Sequence, residues 1–228
     1  IPTTAGTGSE VTPISIVTTG ATTKMGVVSP ILYADVAILD ATFTQGLPAH
    51  ITAATGIDAM VHAIEAYTSN IKKNFYADIL AKNALKLLNH NLAKVLKNGA
   101  DLEARQNMLV GSMLAGQAFA NAPVGAVHAL AYPLGGHFHL SHGHSNALVL
   151  VEVLKFNAPK AKQYYAELMQ LLDPRSTGCT DGLCDLFIDH MQNHLDQSGL
   201  TLKLKDLDIP EAKLPQLAKD ALLQTRLL

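Results

Sequence analysis

The stretch ITAATGIDAMVHAIEAYTS, residues 51–69, carries both a helical apolar pattern and two potential metal-binding side chains. Ile57, Val61 and Ile64 recur at helical spacing and make one apolar face. On that helix Asp58 and His62 stand at i and i+4, one turn apart on the same side. A carboxylate and an imidazole so placed either pair on a helix surface or reach together for one metal ion. The pair alone leaves both readings open.

Working outward, helical patterning starts at about Leu47 and persists to the end. ADILAKNALKLLNHNLAKVLKNG is amphipathic and ends at Gly99, a good C-terminal cap. DLEARQNMLVGSMLAGQAFANAP opens with an acidic first turn and stops near Pro123. VGAVHALAYPLGG reads as a shorter apolar helix broken at Pro133 and Gly135-Gly136. SNALVLVEVLKFN and PKAKQYYAELMQLL follow as separate elements, then CDLFIDHMQNHLDQSG and PEAKLPQLAKDALLQ. Upstream, VTPISIVTT, MGVVSP and ADVAILD read as short strands. The expected architecture is mostly α: a β-rich entry piece over residues 1–46 and an all-helical body over 47–228. So short a piece of sheet is not stable alone and should pair with strands from elsewhere.

The chain has 228 residues, 48% of them hydrophobic and 16% charged, which is ample apolar material for a globular core. A formal net charge of −2 and the lack of any basic run argue against nucleic-acid or anionic-membrane partners. No apolar run approaches the roughly 18 residues of a membrane span, and IPTTAGTGSE lacks the features of a signal peptide. Cys179 and Cys184 are too few for structural zinc and read as reduced thiols, so a cytoplasmic setting is expected. The chain opens with Ile1, not Met, as a piece of a longer protein would.

His128 lies in the apolar segment VGAVHALAYPLGG, where a histidine is either a hydrogen-bonded core residue or a ligand. His142 follows fourteen positions on, in the tract HFHLSHGH (137–144), across the Gly135-Gly136 turn. If the chain doubles back there, His128 and His142 approach each other from neighbouring helices. Together with Asp58 and His62 they would offer one carboxylate and three neutral imidazoles, a donor set for ferrous iron or zinc rather than calcium or magnesium.

IPTTAGTGSE, AATGIDAMVHAIEAYTS, GAVHALAYPLGG and HGHSNALVL together resemble the successive signatures of the iron-containing (group III) alcohol dehydrogenases. The resemblance runs in order over nearly the whole chain. It implies a truncated dehydroquinate-synthase-like fold: a helical metal-binding domain behind the last strands of an α/β nucleotide-binding domain. It implies Asp58, His62, His128 and His142 as metal ligands, the histidine directly before Gly143 being the fourth. His137, His139 and His144 become loop residues near the substrate entrance.

The same resemblance implies a reaction: a primary alcohol and NAD(P)+ interconvert with an aldehyde and NAD(P)H, a divalent Fe2+ or Zn2+ acting as Lewis acid. PTTAGTGSE would approach the cofactor, with Gly6 and Gly8 letting backbone come close to it and Thr3, Thr4 and Thr12 offering hydroxyls. Lys24 matches a lysine near the cofactor ribose. Phe119 matches an apolar residue by the substrate pocket and reads equally as helix core. Small alcohols or aldehydes are the implied substrates and a homodimer the implied assembly.

Two departures stand out. Tyr132 occupies a position where many members have a histidine that relays the alcohol proton, and a phenol gives up its proton reluctantly at neutral pH. The family's glycine-rich G-G-G-S phosphate motif does not occur, so the chain is expected to hold only part of a cofactor site and to have little NAD-dependent activity. The choice between NAD and NADP stays open. A zinc-dependent polyol dehydrogenase of the glycerol type and a catalytically silent helical interaction fragment are the alternatives. A metal-free reductase is disfavoured because all four ligand residues are present.

Overall fold

A computed structural model describes residues 1–19 and 23–224; of Thr18, Thr23 and Lys24 it describes only the backbone. Two strands, β1 (Ile14–Thr19) and β2 (Thr23–Val28), precede seven α-helices: α1 (Ala49–Thr68), α2 (Phe75–Lys97), α3 (Leu102–Asn121), α4 (Ala126–Phe138), α5 (His142–Leu172), α6 (Thr180–Gln197) and α7 (Leu214–Leu222). The mostly α architecture is as expected from the sequence.

Helix α1 is the axis of the molecule and packs against α2, α3 and α5. The sequence showed one apolar face, but the helix is buried almost all round, from Thr52 through Tyr67 apart from Thr55. Small residues make this possible. Ala53, Ala59, Ala63 and Ala66 are fully or almost fully buried, and a Cβ on Gly56 would come within 2.6 Å of Leu92. With so little side-chain bulk, the neighbouring helices close directly onto the α1 backbone.

The surrounding helices are fixed by local chemistry. The Asn74 side chain caps α2 by accepting from Ala77 N–H at 2.9 Å, and Asp101 caps α3 by accepting from Ala104 N–H at 2.9 Å. α2 ends at Lys97, two residues before Gly99, with Asn98 as its C-cap. Among the described residues no helix is long and apolar enough to cross a membrane.

The strands form a two-stranded antiparallel hairpin with Ile14 opposite Val28 and Thr19 opposite Thr23. Ile16, Val17, Met25, Val27 and Val28 remain exposed on it. ADVAILD is not a strand. It has no ladder partner among the described residues, and Val36 is 73% exposed. The Gln106 side chain of α3 substitutes for a neighbouring strand there, accepting from Ala41 N–H at 3.2 Å and donating to Leu39 C=O at 3.3 Å.

Two expected breaks do not occur. α4 runs unbroken through Pro133 and Gly135-Gly136 to Phe138, and α5 is one helix through Pro159. Each proline removes a helix hydrogen bond at a cost of about 3 kcal/mol. In α4 the flanking residues Ala131, Tyr132 and Leu134 are buried, and their packing offsets that cost. The reversal between α4 and α5 therefore falls at His139–Ser141, with His139 left-handed at φ 56°, and not at the glycine pair.

The glycines near the chain start serve close packing. They bring backbone against helices. A Cβ on Gly6 would lie 2.7 Å from Thr55 of α1, and one on Gly8 (φ +58°) would lie 2.6 Å from Gly116 of α3. At the start of α5, a Cβ on Gly143 would lie 2.1 Å from the Ala54 carbonyl oxygen. Gly143→Ala must therefore force α5 off α1, with an expected loss of about 3 kcal/mol and a fall of roughly 6–12 °C in Tm. Gly46→Ala, which meets nothing within 4 Å, should stay within about 0.5 kcal/mol of the parent. Thermal melts of the two variants side by side check this, and equal Tm values would contradict the close approach.

Candidate metal and substrate site

The core of α1 holds an unusual load. Asp58 is 2% exposed, His62 4% and Glu65 7%, so three ionisable side chains lie on one stripe of a buried helix. Such groups cost stability unless each finds a partner. His62 Nδ1 lies 3.2 Å from the Gly6 carbonyl oxygen, which accepts its proton and leaves Nε2 aimed inward. Glu65 accepts from Val127 N–H at 2.8 Å and meets His128 Nδ1 at 2.6 Å.

His128 from α4 and His142 from the first turn of α5 complete the group. Asp58 Oδ1 lies 4.0 Å from His62 Nε2, 3.7 Å from His128 Nε2 and 3.5 Å from His142 Nε2. One ligand atom from each of the four residues lies within 4.8 Å of the others. The sequence spacing had selected the same four. The rings pack in a row: Phe119 stacks on His62 at 4.4 Å, His62 on His128 at 4.6 Å, and Tyr132 on His142 at 5.8 Å between centroids.

The donor chemistry fits a divalent cation. Asn146, one turn beyond His142, pushes its amide NH2 into the group, at 2.5 Å from Asp58 Oδ1, 3.4 Å from His128 Nε2 and 3.5 Å from His142 Nε2. Its own Oδ1 is buried with no partner among the described residues. A weak positive dipole thus stands amid a carboxylate and imidazole nitrogens, a place that suits a full positive charge.

Beside the group opens a cleft of about 310 Å3, lined by Thr12, Ile14 and Ile16 of the entry piece and by Phe119, Val124 and Tyr132 of the helical body. Of the residues singled out from sequence, Thr12, Phe119 and Tyr132 reach it. Thr3 is exposed and Thr4 half-buried, and neither lines it. Lys24 pairs through its backbone with Thr18, and its side chain lies outside the described residues. Two of the other tract histidines are engaged outside the cleft. His137 Nε2 meets Asp220 of α7 at 2.7 Å, and His144 Nε2 donates to the Thr201 carbonyl at 2.6 Å, so both hold the C-terminal segment down. Glu65, Asn146 and the Gly6 carbonyl were not singled out from sequence. Their signal was spacing: Glu65 shares the stripe of Asp58 and His62, and Asn146 stands at i+4 from His142.

Burial pushes the His62 imidazole down to about 3, so it is neutral and keeps a lone pair at neutral pH. Burial pushes the Asp58 carboxyl up, but the facing imidazoles and the Asn146 amide outweigh it and hold the group below its ordinary value. On α6, burial lowers His194 to about 4. Both histidines have folded values below the 6.5 of a free imidazole, so the unfolded chain binds more protons between 6.5 and about 3. The stability that depends on these two neutral histidines is therefore complete above pH 6.5 and is lost as pH falls toward 4. The urea midpoint of chelator-treated chain should be lower at pH 5.0 than at pH 7.5, and an equal or higher midpoint at pH 5.0 would contradict these burials.

Comparison with known proteins identifies the family. The C-terminal model of the Fe-containing alcohol dehydrogenase family matches residues 52–228, and the iron-containing alcohol dehydrogenase model matches residues 1–41. Long-chain-alcohol dehydrogenase 1 of Geobacillus thermodenitrificans is 43% identical over 229 residues, covering 100% of this chain and 58% of the relative. The crystal structure of a 1,3-propanediol oxidoreductase superposes with a TM-score of 0.92 at 36% identity, over 97% of this chain and 58% of that one. Sulfoacetaldehyde reductase from Bifidobacterium kashiwanohense, solved in complex with NAD+, superposes with a TM-score of 0.82 at 30% identity, over 96% and 57%. The chain thus spans a little over half the length of these relatives. With the family model matched across the whole helical body, the chain belongs to the iron-containing alcohol dehydrogenase family.

Proposed function

We propose that this chain forms the metal-binding, substrate-facing part of an NAD(P)-dependent, metal-dependent alcohol dehydrogenase that interconverts small primary alcohols and aldehydes. The observation that carries this reading is the convergence of Asp58, His62, His128 and His142 beside an open, mostly apolar cleft. These four residues are proposed as the ligands, with ferrous iron as the ion. A mixed set of one carboxylate and three imidazoles suits ferrous iron and leaves a position for substrate. The zinc-dependent polyol reading is not favoured, because both matching family models are those of iron-containing enzymes. When bound, the divalent ion supplies Lewis acidity toward an alcohol or carbonyl oxygen, and the nicotinamide supplies the hydride acceptor or donor.

The chain's own residues do the rest. Phe119 covers one face of His62 and gives the substrate's carbon chain an apolar wall. Tyr132, stacked on His142, is proposed to exchange a hydrogen bond with the substrate hydroxyl through its phenolic O–H. Thr12, buried at the cleft's edge on the entry piece, is proposed to face the cofactor, with Thr3, Thr4 and Lys24 on the same side. A boundary near residue 46, between a nucleotide-binding portion and the helical domain, is supported by the start of α1 at Ala49 and by the two separate family matches. The apolar side chains exposed on the hairpin support its pairing with further sheet, and a homodimer is proposed for the assembly. Two free cysteines, Cys179 exposed, support a reducing, cytoplasmic setting. A silent interaction fragment would have no use for a buried carboxylate beside three imidazoles, which costs stability.

Cobalt titration of the chelator-treated chain tests the proposal. The visible bands should saturate at one equivalent and shift when propan-1-ol is added. Asp58→Ala should retain under about a tenth of that metal, since losing even a hydrogen-bond partner of a metal ligand typically costs 10–100-fold in affinity. Stoichiometric metal in Asp58→Ala, or bands indifferent to alcohol, would sink it.

A further inference from the structure

We propose that Glu65 is a positioning residue that fixes the tautomer of His128 and thereby aims the Nε2 lone pair at the metal position. The geometry is specific. Helix α4 begins at Ala126 behind Gly125, whose missing side chain gives no cap, so its first N–H groups need acceptors from elsewhere. Glu65 reaches across from α1 and supplies one: Oε1 accepts from Val127 N–H at 2.8 Å. A negative group at a helix N-terminus is also favoured by the helix dipole. That bond pins one carboxylate oxygen and delivers the other, Oε2, to His128 Nδ1 at 2.6 Å. A carboxylate only accepts, so Nδ1 carries the proton. Nε2, 3.7 Å from Asp58 Oδ1, is then the unprotonated nitrogen.

The same task is done for His62 by the Gly6 carbonyl, a backbone group that no substitution removes. For His128 it depends on a side chain, 7% exposed and placed on the helix that also bears Asp58 and His62. One helix thus carries two proposed ligands and orients a third. The consequence for metal affinity rests on the metal reading proposed above; the tautomer itself does not.

Glu65→Gln separates positioning from packing. Glutamine keeps the size and one acceptor. Val127 N–H claims the carbonyl oxygen, since turning the amide round would set NH2 against N–H. The NH2 then faces His128 Nδ1 and donates to it, which moves the imidazole proton to Nε2 and points it into the site. The test is 15N-histidine NMR of the chelator-treated chain, with His128→Gln to assign the signals, followed by cobalt titration. The expected result is Nδ1–H on His128 in the parent, Nε2–H in Glu65→Gln, and a cobalt Kd raised roughly 10–100-fold in the variant. Nε2–H in the parent would overturn the proposal, and that spectrum decides it even if Glu65→Gln does not fold. A folded Glu65→Gln with the parent's tautomer and Kd, or with only a lowered Tm, would overturn it too, because a purely structural role predicts that pattern. If the parent shows Nδ1–H but binds no cobalt, the metal reading fails and the tautomer assignment stands.

Discussion

A carboxylate sealed inside a helical core must be answered by positive charge or by hydrogen bonds, and Asp58 imposes that demand on the whole domain. Removing one partner of a buried charge costs about 3–5 kcal/mol, so the neighbours are not free to drift. His62 rides on the same helix, His128 comes in on α4, and His142 and Asn146 come in on α5. Two of the elements that reach this centre are held close by an absence of side chain. Gly143 lets α5 rest on the Ala54 carbonyl, and Gly8 against Gly116 seats the entry loop that carries the Gly6 carbonyl to His62. The backbone contacts and the polar centre are two sides of one requirement.

Local rules give way around this centre, as they do at functional sites. α4 has no side-chain cap of its own and contains Pro133, yet it is continuous. α1 carries three ionisable residues where apolar ones would be more stable. Asn146 leaves its amide oxygen without a partner among the described residues in order to face the carboxylate. Asp58, Glu65 and Asn146 all engage the histidines of this centre, whereas α2 and α3 are capped conventionally by Asn74 and Asp101.

The sequence made part of this legible for definite reasons. Asp58 and His62 announce themselves because i,i+4 spacing is a geometric fact of helices. Positions 128 and 142 could be paired because one reversal brings successive helices together, although the reversal was placed at the wrong residues. Gly135 and Gly136 look like a break, but packing on both sides of Pro133 keeps the helix whole and His139 turns the chain instead. ADVAILD has strand composition, but strand formation needs a partner and Gln106 provides only a pair of side-chain hydrogen bonds. Glu65 does not stand out in the sequence because burial on all sides of α1 is a tertiary property, set by five alanines and a glycine that carry little periodic signal. In HFHLSHGH composition marks four histidines as equal. Their partners, Asp220, Thr201 and the Asp58 group, lie far off in the chain and make them unequal.

Asp58, His62, His128 and His142 are proposed to close on a single ion. Anomalous scattering at the iron edge, from a crystal of chain purified without oxygen and loaded with ferrous iron, tests it most directly. One peak is expected about 2 Å from an Asp58 oxygen and from Nε2 of all three histidines, with the Asn146 amide displaced from its place among them. A peak elsewhere, or none at this point in a crystal shown to contain iron, would contradict it.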